Sequence, residues 1–181
     1  TKAFDLSAAV TYMMGALCTL ASIALMGRLL VTLRGPAYAA IAVLAALCIA
    51  YYNARLYYYN HNVVLMLLSS VSACLCWQAF ATRRLRWWLA LGLAIGLGAL
   101  AKYQVAVTVM CVLVFALHQR AWREPVHRLG AALAALVAAV VFAPHVLWLV
   151  RHDFAPIHYA VGPSLGAHFD RYLVGGAANA T

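Results

Sequence analysis

The chain has 181 residues, 67% of them hydrophobic and 9% charged, with 13 Lys and Arg against 4 Asp and Glu for a formal net charge of +9. A soluble domain carries about 45–50% apolar and about 25% charged residues, so this chain has too little polar surface to cover a globule, and its mean hydropathy of +0.88 agrees. A soluble globular domain, a disordered chain and a nucleic-acid-binding module are excluded. The positive charge reads as membrane topology, because arginines gather in short connections between apolar runs.

One transmembrane helix takes about 20 residues, so the length holds about six. Six apolar runs stand out in chain order, at residues 8–31, 37–52, 63–81, 87–101, 103–117 and 129–150. They lack the period-two polarity of barrel strands, and in hydrocarbon every backbone amide needs an internal partner, so continuous apolar runs become helices. The expected fold is all-α: a polytopic transmembrane helical bundle of about six spans, followed by a periplasmic-side segment at residues 151–181. Pro36 and Pro125 fall in connections, whereas Pro144 lies inside the sixth run and should kink or end it. Gly92 and Gly96 form a small-xxx-small face for close helix packing, and the alanine-rich sixth run reads the same way. The five cysteines all sit in apolar runs with no Cys-x-x-Cys pair, which leaves no zinc or redox motif. The chain starts at Thr1 without a signal-peptide pattern and ends Gly175 to Thr181 as if approaching another element, so it reads as a piece of a longer membrane protein.

Charge sets the orientation. Six alternating spans put eight arginines (Arg28, Arg34, Arg83, Arg84, Arg86, Arg120, Arg123, Arg128) on one side, and Lys2, Arg55, Lys102, Arg151 and Arg171 on the other. The arginine-rich side should be cytoplasmic. Residues 87–117 are ambiguous, being either two short spans or one long helix with Lys102 near its middle. Two spans are preferred, since a lysine at the bilayer centre costs at least about 2.5–3.5 kcal/mol and a helix boundary removes that cost.

Polar residues cluster at the non-cytoplasmic ends. Tyr51, Tyr52, Tyr57, Tyr58 and Tyr59 suit a membrane–water interface. Asn60, His61 and Asn62 open the third helix, where they cap its dipole-positive end or bind a sugar hydroxyl or phosphate. Lys102, followed by Tyr103 and Gln104, is either a snorkelling lysine or a cation holding a phosphate at membrane depth. The third cluster holds Pro144, His145, Trp148, His152, Asp153 and His158. Its histidines and aspartate raise the question of a divalent metal, but their spacing matches no familiar zinc motif, and a juxtamembrane segment lying along the bilayer is the other reading. All three clusters fall on one face under the six-span arrangement. Such a face suits an amphiphile with its tail among the helices and a charged head at the rim.

Three stretches carry a family resemblance. Tyr59-Asn60-His61-Asn62-Val63-Val64-Leu65 resembles a Tyr/Phe-Asn-x-Asn-Thr-x-Leu stretch, Gly92 to Lys102 and Tyr103 a Gly-x-x-x-Gly…Lys-Tyr stretch, and Pro144-His145 with Trp148, His152, Phe154 and Pro156 a Pro-His-x-x-Trp…His-x-Phe-x-Pro stretch. In this order they resemble the middle of a bacterial family 39 glycosyltransferase, similar to dolichyl-phosphate-mannose protein mannosyltransferases and the lipid A aminoarabinose transferase, over most of residues 10–160. The resemblance implies a C-type glycosyltransferase fold in the bacterial inner membrane. It implies transfer of a sugar from a polyprenyl-phosphate carrier, at the periplasmic face, to a lipid, glycan or protein.

The resemblance puts Lys102 with Tyr103 at the carrier phosphate, and Asn60, His61, Asn62, His145, Trp148, His152 and Asp153 at the substrate rim. Relatives with Asp at the Asn62 position use it for metal or acceptor contacts; the neutral amide here puts a divalent-metal cofactor in doubt. The family's catalytic acid, the base for the acceptor hydroxyl, sits in a first periplasmic loop that this sequence does not contain, so no catalytic residue is assigned and the 181 residues alone are expected to be inactive. The implied partners are a polyprenyl-phosphate-linked sugar and the lipid bilayer, with no nucleic acid. The alternative is a transporter or flippase-like bundle for an amphiphile. Such proteins show paired, Gly/Pro-interrupted helices in two halves, whereas here only the sixth run holds an internal proline and no repeat is visible. A purely structural subunit has no need of Lys102 or the asparagine pair. Composition fits all three readings, and the resemblance decides between them.

Overall fold

Two features of the sequence punctuate the chain: residues that free or cap helix ends, and residues small enough to let helices touch. In the computed structural model, which describes residues 8–48 and 59–152, they delimit six α-helices. These are α1 (Ala8–Arg34), α2 (Pro36–Leu47), α3 (His61–Thr82), α4 (Leu85–Ala101), α5 (Val105–His118) and α6 (Pro125–Arg151). A single 3-10 turn, Ala121–Arg123, precedes α6, and there is no strand among the described residues. The fold is an all-α membrane helical bundle. The end of the second run, the tyrosine-rich stretch up to Tyr58, Asp153 and the segment that follows it lie outside the described residues.

Each helix end has a local cause. Gly35, at φ 89°, takes a left-handed conformation open to glycine, and Pro36 then starts α2 at a position where its missing N–H costs nothing. Arg83, at φ 54°, closes α3 by donating its backbone N–H to the Ala79 carbonyl at 3.1 Å. Arg120 adopts φ 52° before the 3-10 turn, and Pro125 opens α6. Most run boundaries move outward by one to four residues, because basic and polar residues at the ends still satisfy their backbone amides in the helix, whereas α5 starts two residues inside its run, at Val105. Pro144 does not end the sixth helix, which continues through it to Arg151.

Length separates the helices into two groups. α1, α3 and α6 are long and apolar enough to cross a membrane, while α2, α4 and α5 are shorter. At 22 residues, α3 is about 33 Å long, against about 30 Å of hydrocarbon. The run at 87–117 breaks into α4 and α5, with Lys102 at the break.

The chain divides into two compact units, residues 1–142 and 143–181. In the first, α3 packs against α1, α4 and α5, α1 also packs against α2, and α4 against α5. Leu25 of α1 accepts a contact from Cys74 Sγ of α3 at 3.5 Å, and Arg28 and Thr32 share a notch with Trp77 and Gln78, so α1 and α3 run in the same direction. Arg83 and Glu124, 3.0 Å apart, bring the α3–α4 and α5–α6 connections together. Arg28, Arg34, Arg83, Arg84, Arg86, Arg120, Arg123 and Arg128 therefore gather at one end of this unit, all exposed, and Asn60–Asn62 and Lys102 lie at the other. Behind the arginines, Phe80 stacks on His127 at 4.6 Å and meets Trp88 at 5.3 Å and Phe115 at 5.1 Å. The outside is apolar: Leu20, Ile41, Val107 and Leu117 are all at least 60% exposed, a surface suited to lipid.

Several hydroxyls inside this apolar unit are satisfied, though buried Ser72 Oγ has no partner among the described residues. Thr19, Ser22 and Ser70 donate to the carbonyls of Gly15, Cys18 and Met66, four residues back, and Ser69 and Thr108 join α3 to α5 at 2.8 Å.

The tightest contact is the glycine face of α4. A Cβ on Gly92 would overlap the Ala134 carbonyl oxygen of α6, and one on Gly96 would stand 2.8 Å from Val141 Cβ. Gly130 of α6 in turn leaves room for the Trp88 indole. With no hydrophobic drive between helices in lipid, such backbone proximity carries the association. Gly92→Ala should therefore push α4 and α6 apart and cost about 1–3 kcal/mol. Gly27→Ala, where the Cβ makes an ordinary 3.4 Å contact with Val43, should be tolerated. Thermal unfolding of both variants in detergent checks this.

Candidate functional site

The site grows out of two chain interruptions. At the first, Asn60 is extended (φ −150°) and its Oδ1 accepts the backbone N–H groups of Asn62 at 2.8 Å and Val63 at 3.3 Å. This caps two otherwise unpaired amides at the start of α3. Asn60 thus spends its acceptor on the backbone, and Asn62, one step inside the helix, has its side chain free for another element.

The second interruption supplies that element. Lys102 is extended (φ −165°) and closes α4, donating its N–H to Gly98 at 2.9 Å and accepting from Val105 N–H at 3.1 Å. Gly98 makes the reversal possible: a Cβ there would stand 2.7 Å from Val105 Cγ2, so the missing side chain lets buried Val105 tuck against α4. The glycines of this stretch thus divide their work, Gly92 and Gly96 facing α6 and Gly98 the chain reversal.

Lys102 Nζ then donates to Asn62 Oδ1 at 2.6 Å, across a sequence separation of 40 residues, with both residues half-buried. The partner is a neutral amide. Glu124 is the one carboxylate among the described residues, and it lies at the arginine end, bound to Arg83 and 3.4 Å from His127. The ammonium has three donors, of which this bond uses one. What the geometry offers is a fixed cation with spare donors, an arrangement suited to an anionic oxygen.

The other rim residues are placed differently. Tyr103 is exposed and sets its ring edge-on to Phe142 at 6.4 Å. His61 is the exposed first residue of α3. In the second unit, His145, Trp148 and His152 stack along one helical face, with ring centroids 5.9 and 4.5 Å apart, and His152 Nδ1 lies 2.8 Å from the Trp148 carbonyl. Asp153 lies outside the described residues. Among those residues no group of three His, Cys, Asp or Glu side chains comes together. An apolar cleft of about 360 Å³, with Leu33, Trp77, Thr108 and Phe115 in its walls, lies between α1, α3 and α5.

The Arg83–Glu124–His127 cluster was not legible as a unit in the sequence. Its one signal is the i, i+3 spacing of Glu124 and His127, which has meaning only once Pro125 is seen to start a helix.

A helical bundle with an apolar outside, three of its helices long enough to cross a bilayer, defines a membrane protein with a cation held at one end. The chain belongs to the dolichyl-phosphate-mannose-protein mannosyltransferase family, whose model matches residues 1–148. Its function is accordingly that of a membrane glycosyltransferase. The match takes in Asn60, His61, Asn62, Lys102, Tyr103, His145 and Trp148, and stops short of His152 and Asp153. No curated protein and no solved structure matches the chain.

The cap separates the two asparagines experimentally. Asn60→Ala should cost about 1 kcal/mol of stability by freeing the Asn62 and Val63 amides, while Asn60→Asp keeps the cap and the stability. Thermal melts of the two variants decide it.

Proposed function

We propose that this chain forms the carrier-binding rim of an integral-membrane glycosyltransferase that moves a sugar from a polyprenyl-phosphate carrier to a lipid, glycan or protein acceptor at the periplasmic face of a bacterial inner membrane. The observation that carries the reading is the ammonium of Lys102, fixed at 2.6 Å by the neutral amide of Asn62, at the end of the helices opposite the arginines. As the bond between sugar and phosphate breaks, negative charge builds on the departing phosphate, and a cation already in place stabilises it without reorganising. Tyr103 serves the same rim as an interfacial ring. His145, Trp148, His152 and Asp153 are assigned to the sugar or the acceptor on the family resemblance. The base that deprotonates the acceptor is assigned to no described residue.

The orientation proposed has six spans, with the arginine end cytoplasmic. The distribution of arginines supports it, eight at one end of the bundle and Lys102 at the other.

In the full-length protein, Lys102→Ala should lower sugar transfer from a polyprenyl-phosphate sugar by about 100-fold or more. Lys102→Arg, which keeps the charge, should retain part of the activity. An alanine variant that transfers sugar at the unaltered rate sinks the reading. Orientation is checked separately with single cysteines at His61 and Leu85, in a background lacking the five native cysteines. An impermeant thiol reagent should reach position 61 from the periplasm and position 85 only from the cytoplasm, and labelling of both from the periplasm would overturn the topology.

A further inference from the structure

The partner of Lys102 is as informative as the lysine. Of the two ends of a carboxamide only the oxygen accepts a hydrogen bond, so the 2.6 Å contact sets Asn62 with Oδ1 toward Lys102 and its Nδ2 donors turned away. The Asn62 side chain has no part in capping α3; that is done by Asn60, through the Asn62 backbone N–H. A carboxylate at this position would hold the lysine equally well but cancel its charge. The amide holds it and leaves the charge intact.

We propose that Asn62 is a positioning residue: its amide oxygen aims the Lys102 ammonium while leaving a full positive charge for a lipid-borne phosphate, so that the rim prefers a polyprenyl phosphate to the corresponding uncharged polyprenol. The inference rests on the reading of Lys102 as the phosphate-binding cation and adds the residue that makes it selective. A long flexible lysine without this tether would spread its ammonium over several rotamers, and ordering them would count against binding.

The test is binding of undecaprenyl phosphate and of undecaprenol to the full-length protein in nanodiscs. The unaltered protein should bind the phosphate at least tenfold more tightly than the alcohol. Asn62→Asp, which keeps shape and acceptor but adds a negative charge, should lose that preference. Asn62→Leu, which keeps shape but removes the acceptor, should weaken phosphate binding severalfold, and Asn62→Ser, a smaller neutral acceptor, should restore part of it. Binding of undecaprenol should be the same in all variants, whereas a merely structural role would shift both ligands together. Asn62→Leu added to Lys102→Ala should change nothing further, because Asn62 acts through the lysine. If Lys102→Ala loses the preference while Asn62→Asp and Asn62→Leu keep it, the role of Asn62 is overturned and that of Lys102 stands. If the unaltered protein does not distinguish phosphate from alcohol, the rim itself has been misread and this inference falls with it.

Discussion

A single hydrogen bond between an ammonium and an amide, Lys102 to Asn62, joins the two places where this apolar chain interrupts its helices. An ammonium held within hydrocarbon is expensive, and the fold limits that cost by placing Lys102 at the break between α4 and α5 rather than within a continuous helix. The amide supplies one hydrogen bond in place of water. It does not supply an opposite charge, and this distinguishes the site from a structural ion pair. A lysine neutralised by a carboxylate would be content in the bundle. A lysine satisfied only in part keeps donors to spare, which is what the proposed anion-binding role asks of it.

That bond depends on backbone approaches made possible by absent side chains. Gly98 admits Val105, which lets the chain reverse immediately after Lys102, and Gly92 and Gly96 admit α6 against α4. α4 is therefore fixed along its length, by α6 and α3 on its sides and by α5 at its end, before Lys102 extends from it. α3 is fixed from its first turn by the Asn60 cap. Both partners of the bond are set by backbone geometry close at hand, so the ammonium is positioned by the rigid parts of the fold.

Much of this was legible in the sequence, for reasons particular to membranes. Apolar runs and the rule that backbone amides pair internally are enough to read six helices, and the cost of an intramembrane lysine is enough to favour a break at Lys102. The glycine spacing of Gly92 and Gly96 foretold a close helix contact, though not that α6 would fill it. Asn60 and Asn62 read alike in the sequence, and their division of labour became visible only in three dimensions. Asn60 lies outside the first turn and caps it; Asn62 lies inside and faces α4. Pairing across 40 residues leaves no trace in local pattern, which is also why Arg83, Glu124 and His127 went unread as a cluster. Of the two outcomes expected at Pro144, a kink or an end, the helix that continues to Arg151 excludes the end.

The two ends of the first unit treat charge in opposite ways. At the arginine end Glu124 sits among the cations, pairing with Arg83 and approaching the buried ring of His127, which stacks on Phe80. There, a carboxylate is used to tie two connections together. The exposed pair contributes at most about 1 kcal/mol in water, so its work is registration of the turns rather than bulk stability. At the opposite end the amide of Asn62 stands where a carboxylate would serve the lysine better if stability were the only demand. One end uses its acid to close the fold, and the other pairs its cation with a neutral amide, which on the proposed reading leaves that cation open to a ligand.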